Sequence, residues 1–100
     1  MAKTDAAVVD STILNFDKPK KYKVILFNDN YTPMDFVVAL LVEIFKKTVD
    51  EATQITMKVH NEGKGIAGIY YYEIAEQKVA EATIVSQSNN FPLKLGIEEE

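Results

Sequence analysis

From Tyr22 to Phe27 the chain is dominated by β-branched and aromatic residues, and it then meets Asn28-Asp29-Asn30-Tyr31-Thr32-Pro33, after which the apolar residues change period. That change commits the chain to a strand, a tight turn and a helix in immediate succession. The strand, bounded by Lys20-Lys21 and by the Asn/Asp cluster, is of the kind buried on both faces. Thr32 is a good N-cap, Pro33 suits the first helical position, and Asp35 can reach back to the cap or favour the helix dipole. The spacing predicts a helix from Pro33 to about Lys47, with Phe36, Val37, Leu40, Leu41, Ile44 and Phe45 forming the stripe that packs on a sheet. Helix starts normally attract anions. Here Asp29 and Asp35 flank the start and no glycine-rich phosphate cradle precedes it, so the turn favours a cation.

The remaining elements follow from the same signals. Thr48 and Glu51 have the spacing of a capping box, which opens a second helix with Ala52, Ile55 and Val59 inward and its end near His60. Asn61 to Gly65 supplies the glycine that helix ends and tight turns need. Ile66 to Tyr72 reads as a strand, and Glu73 to Ser86 as a third helix with Ile74, Ala75, Val79 and Ala82 on one side. Gln87 to Asn90 ends that helix, Pro92 prevents a restart, and Leu93 to Ile97 reads as a last short strand before an acidic tail, Glu98-Glu99-Glu100. The order is βααβαβ, an α+β fold in which a small sheet carries helices on one face. Residues 1 to 20 show neither helical nor alternating order and read as a flexible arm, leaving 21 to 97 as one core domain.

Composition narrows the function. One hundred residues, 47% of them hydrophobic, make one small domain and one site. Without cysteine and with a single histidine, no thiol chemistry or clustered metal site is expected, and no cofactor is implied. A net charge of −4 argues against a nucleic-acid surface, the basic run Lys18 to Lys23 being short. No window has a membrane-spanning apolar length and the N-terminus lacks a secretion signal, so a cytoplasmic protein is expected.

Taken singly, the chemistry-bearing residues have ordinary roles. Asn28, Asp29 and Asn30 are turn formers. His60 stands at a helix end, where it interacts with the dipole. Met34, Val37 and Val59 have core spacing. Tyr70-Tyr71-Tyr72 alternates faces on its strand, so that at least one ring is exposed, a candidate docking face. Gly63-Lys64-Gly65 lacks the spacing of a phosphate loop and reads as a turn.

Together, the run Tyr22 to Val37 closely resembles the bacterial ClpS adaptors, which recognise destabilising N-terminal residues and deliver such substrates to a Clp protease. Ala52-Thr53-Gln54, Val59-His60 with Gly63-Lys64-Gly65, Glu73-Ile74-Ala75-Glu76 with Lys78-Val79, and Pro92-Leu93 follow in the family's order. The resemblance spans roughly residues 20 to 97 and implies a three-stranded antiparallel sheet packed on three helices. It implies that Asn28, Asp29 and His60, with Thr32 beside them, hold the substrate's α-amino group. An ammonium offers only donors, for which an amide oxygen, a carboxylate and a neutral imidazole nitrogen are suitable acceptors. It further implies a pocket between Met34, Val37, Val59 and Leu93 for a first side chain of Leu, Phe, Tyr or Trp. Met34 at its mouth is expected to crowd out β-branched first residues. Docking of the Clp unfoldase N-terminal domain falls on Glu73 and Lys78, near the tyrosine-rich strand and Tyr71, and delivery falls to the N-terminal arm. One position departs from the pattern: many relatives carry aspartate where this chain has Asn30, which lowers the local negative charge by one. The implied protein is an adaptor and not an enzyme. Two other readings stay open at the level of residues: a ribosomal-stalk-like interaction module without an amino-terminal pocket, and a small hydrolase in which Asp29 orients His60 as a base. The hydrolase lacks a nucleophile motif.

Overall fold

A computed structural model describes residues 19–100. Apart from Pro19 and Lys20, the arm expected over residues 1 to 20 lies outside the described residues. The elements are β1 (Lys21–Phe27), α1 (Met34–Glu43), α2 (Val49–Glu62), β2 (Lys64–Tyr71), α3 (Tyr72–Ser88) and β3 (Lys94–Glu99). The strands form one antiparallel sheet in the order β2-β1-β3, so the first strand is central. This is the expected α+β fold, three strands and three helices in the order βααβαβ.

Strand alternation places Val24 and Leu26 of β1 in the core, where both are fully buried. They join Val37, Leu40 and Leu41 of α1, Ala52 and Val59 of α2, Ala67 of β2, Ala75 and Ala82 of α3, and the loop residues Phe45 and Leu93 in one cluster. Ile25 is buried outside that cluster, against cross-strand neighbours such as Ile66, while Phe27 at the strand end stays partly exposed. Two-sided burial therefore holds at the middle of β1 and not at its end. Between Val24 and Ile25 the register with β2 shifts by one residue, so that both Ala67 and Gly68 turn toward the core opposite Val24.

Several element boundaries differ from expectation. Helix α1 starts one residue later than Pro33, which is itself the N-cap position and makes no side-chain cap; Thr32 does not cap the helix. The helix also ends at Glu43 and not near Lys47, because Lys46 adopts a left-handed φ of 56° and the chain turns there, with Lys47 N–H donating to the Leu41 carbonyl at 3.1 Å. The predicted capping box on α2 is present in both directions, but the helix continues past His60 to Glu62 and ends at Gly63, whose φ of 93° suits glycine. Helix α3 begins at Tyr72, a residue expected in the strand, and runs to Ser88. Strand β3 begins after Leu93 and takes in Glu98 and Glu99, two residues of the expected acidic tail. They pair with basic residues on and just before β1: Lys20 to Glu99 at 3.2 Å and Lys23 to Glu98 at 3.8 Å. Among the described residues, no helix is long and apolar enough to cross a membrane.

Candidate functional site

A cavity of about 350 Å³ opens where the C-terminal end of β1, the turn after it, the start of α1 and the last two turns of α2 meet. Its position is fixed by backbone as well as side chains. As β1 ends, Asn28 N–H donates to the Gly63 carbonyl at 2.9 Å, which ties the turn to the end of α2 and so sets Asn28 beside the last turn that carries His60. Gly65 allows β2 to run close under α2. A Cβ there would come within 2.9 Å of Val59 Cγ2, so glycine keeps Val59 seated as the cavity wall.

Asp29 organises the turn. Its Oδ1 accepts from Tyr31 N–H at 2.8 Å and from Thr32 N–H at 2.7 Å, and its Oδ2 accepts from Thr32 Oγ1 at 2.8 Å. Partial burial pushes the Asp29 carboxyl up, but these hydrogen bonds from Thr32 and Tyr31 together outweigh it and hold the carboxyl below its ordinary value. The group is therefore ionised at neutral pH. A carboxylate has about four acceptor positions, and with three used, one remains open toward a further donor. Thr32 donates its hydroxyl proton to Asp29 and keeps lone pairs that can accept. Asn28 and His60 are exposed at the cavity edge.

The other residues expected at the site are apolar. Val37 (5% exposed), Val59 (4%) and Leu93 (6%) belong to the core cluster, whereas Met34 is 37% exposed and stands at the rim. Leu93 is delivered by the segment before β3, which is pinned to α1 by the edge-on contact of Phe91 with Phe36, centroids 4.8 Å apart. Asn28, Asp29, Thr32, His60, Met34, Val37, Val59 and Leu93, dispersed over more than sixty positions of sequence, thus all line the same cavity. Asn30, Tyr31 and Pro33 line it as well.

Two lining residues were not anticipated, Phe27 and Thr56. Phe27 was read only as the last residue of the strand. Thr56 was passed over as a polar residue in a helix, although Ala52, Thr56 and Val59 follow the i, i+4, i+7 spacing of a buried face, and all three are buried.

The residues expected to face a protein partner lie elsewhere. Tyr71 is the N-cap of α3 and half exposed, and Glu73 is exposed in the first turn. Lys78 is partly buried, and its Nζ donates to the Ile44 carbonyl at 2.7 Å, one of the groups freed where α1 ends early. The hydrolase arrangement is absent among the described residues: Asp29 bonds Tyr31 and Thr32, and makes no hydrogen bond to His60.

Residues 17–96 match the family model of the ATP-dependent Clp protease adaptor protein ClpS. The chain is 54% identical over 84 residues to the ATP-dependent Clp protease adapter protein ClpS of Bdellovibrio bacteriovorus, a match covering 84% of this chain and 74% of that one. It is 47% identical over 93 residues to the protein of the same name from Acetivibrio thermocellus, covering 93% and 94% respectively. Among solved structures it is similar to Agrobacterium tumefaciens ClpS2 bound to L-phenylalaninamide, with a TM-score of 0.79 and 38% identity, over 82% of this chain and 99% of that one.

Proposed function

The chain belongs to the ClpS family of Clp protease adaptors, and on that premise we propose that it binds proteins by a free N-terminus carrying a bulky apolar residue and hands them to an ATP-dependent Clp protease. The observation that carries this reading is the mixed lining of one cavity: the polar Asn28, Asp29, Thr32 and His60 together with the apolar Met34, Val37, Val59 and Leu93.

An α-ammonium brings three donors and a positive charge. Asp29 supplies a charge that is already fixed in position by its turn, so little ordering is needed when the guest arrives. The Asn28 amide oxygen and a His60 ring nitrogen add acceptors that discriminate a free amine from an amide. The first side chain then enters between Val37, Val59 and Leu93, where its burial contributes about 1.5–3 kcal/mol. Each charge-assisted hydrogen bond adds ~1.5–3 kcal/mol, and immobilising a peptide end opposes the sum. The balance points to dissociation constants of about 1 μM, an affinity that permits both capture and release. The similarity to a structure holding L-phenylalaninamide supports this reading, since that ligand joins a free α-amine to a bulky aromatic side chain.

Delivery has its own surface in this proposal: the exposed start of α3 with Tyr71 and Glu73, and Lys78 behind it, contacts the N-terminal domain of a Clp unfoldase in the cytoplasm. The protein acts by binding alone and performs no chemistry on its substrate. Fluorescence anisotropy with labelled peptides beginning in Leu or Phe tests the central claim. Saturable binding of free peptides and its loss on N-acetylation, which removes the charge and adds bulk, is expected. Equal binding of acetylated peptides overturns it.

A further inference from the structure

Thr56 is the outlier of the cavity wall. It is 3% exposed, and its Oγ1 is the one buried side-chain nitrogen or oxygen among the described residues that has no hydrogen-bond partner. Helical Ser and Thr normally satisfy a buried hydroxyl by donating to the carbonyl four residues back. Among the described residues, buried Ser86 does so, its Oγ donating to the Ala82 carbonyl at 2.8 Å, and even the exposed Thr53 donates its Oγ1 to the Val49 carbonyl at 2.8 Å. Thr56 does not, although Ala52 stands at the corresponding position of its own helix. The pairing rule for buried polar groups makes an unpartnered hydroxyl at a cavity wall a candidate ligand contact.

Its location says which part of a ligand it would meet. Thr56 and His60 are i and i+4 on α2 and so lie on one face, about 6 Å apart along the axis. His60 is exposed at the cavity edge and Thr56 is buried, so Thr56 lies one turn inward from the polar end. Val59 and Val37, buried near it, offer no polar atom in their side chains. A first residue whose α-amine sits at the polar end therefore projects its side chain toward Val37, Val59 and Thr56, of which Thr56 alone carries a polar side-chain atom, one without a partner beneath the cavity surface.

We propose that Thr56 is a specificity-determining residue that favours an N-terminal tyrosine over phenylalanine by pairing its hydroxyl with the phenol at the far end of the ring. This rests on the amine-binding reading above. A hydroxyl can donate to or accept from a phenol, and a site that holds a polar group for a polar substrate discriminates against the analogue lacking it. Phenylalanine fills the same space and leaves Thr56 unpaired.

The test compares peptides identical except for a first Tyr or Phe, by anisotropy, on the full chain and on Thr56→Val and Thr56→Ser. Thr56→Val keeps the shape and removes the hydroxyl. The expected result is a preference for Tyr over Phe that falls roughly fivefold in Thr56→Val and is kept in Thr56→Ser, with Phe binding held or tightened in Thr56→Val. An unchanged Tyr to Phe ratio in Thr56→Val overturns the role of Thr56 while leaving amine recognition intact. Failure of both peptides to bind the unsubstituted chain overturns amine recognition and this inference with it. Thermal melts of both variants show that they fold; should Thr56→Val melt early, the ratio in Thr56→Ser, where hydroxyl position changes but chemistry does not, is compared with Thr56→Ala at a temperature below both transitions.

Discussion

Asp29 has two duties in the proposed site, and Asp29→Asn separates them. In the turn, its Oδ1 accepts from two backbone N–H groups and its Oδ2 from the Thr32 hydroxyl. Asparagine keeps one acceptor oxygen for the two backbone donors. Its NH₂ replaces Oδ2, and the Thr32 hydroxyl can rotate to accept from it. The turn should therefore survive, with its hydrogen bonds weakened from charge-assisted to neutral. Amine binding loses the charge. A hydrogen bond to a charged group contributes ~1.5–3 kcal/mol and a neutral one ~0.5–1.5, so about 1.5 kcal/mol is lost and Kd rises about tenfold. Asp29→Ala removes all three acceptor contacts and should cost more in both stability and binding. The assay is anisotropy with a Leu-initiated peptide at two salt concentrations, alongside thermal unfolding. Screening should weaken binding to the unsubstituted chain more than to Asp29→Asn. If Asp29→Asn binds as tightly as the unsubstituted chain, with the same salt response, the carboxylate serves the turn alone and the electrostatic account of amine capture is wrong.

Three further outcomes can be measured on the same peptides. His60→Ala should weaken binding of every free peptide, because it removes an acceptor at the cavity edge; unchanged binding removes that role. Against partial burial, the hydrogen bonds from Thr32 and Tyr31 hold the Asp29 carboxyl below its ordinary value, so the stability it contributes is present above that value and is lost as pH falls through the lowered one, a loss that acid unfolding should show for the unsubstituted chain and not for Asp29→Asn. Met34→Ala should admit Ile- and Val-initiated peptides, since Met34 stands at the rim and not in the wall; an unchanged Leu to Ile ratio refutes the gate. Gly65→Ala should destabilise by about 1–3 kcal/mol through overpacking against Val59, and weaken peptides with large first residues most as Val59 is driven toward the cavity, which a stability-neutral, binding-neutral result would disprove.

The elements were legible where the signal is local. The capping box at Thr48 and Glu51 needs only those two residues and their backbone, and it is present as read. The end of α1 was not legible, because Lys46 takes a left-handed φ without glycine to announce it, and because the Ile44 carbonyl left free is taken by Lys78, thirty-four positions away. Glu98 and Glu99 read as a solvated tail for the same reason: what draws them into β3 is pairing with β1 and with Lys20 and Lys23, which no window of the tail contains. At the site, the turn could be recognised from Asn28 to Pro33, but its meeting with His60 depends on the hydrogen bond from Asn28 to Gly63 and was reached only through resemblance to a family. Thr56 escaped both routes, since a threonine in a helix gives no sign that its hydroxyl lacks a partner.

The same geometry explains how a domain this small keeps an open pocket. Val37, Val59 and Leu93 are members of the core cluster and also walls of the cavity. The cavity is thus an unfilled edge of the core, and its shape is held by packing from α1, α2 and the segment before β3, not by a loop that must close. Large-to-small changes at these three positions would remove core contacts and enlarge the pocket together, so their effects on specificity cannot be separated from stability. Thr56 and Met34 differ. One contributes a hydroxyl that the core does not use, and the other stands partly exposed at the rim. On the proposed reading, they are the positions where selectivity changes with the smallest loss of core contacts.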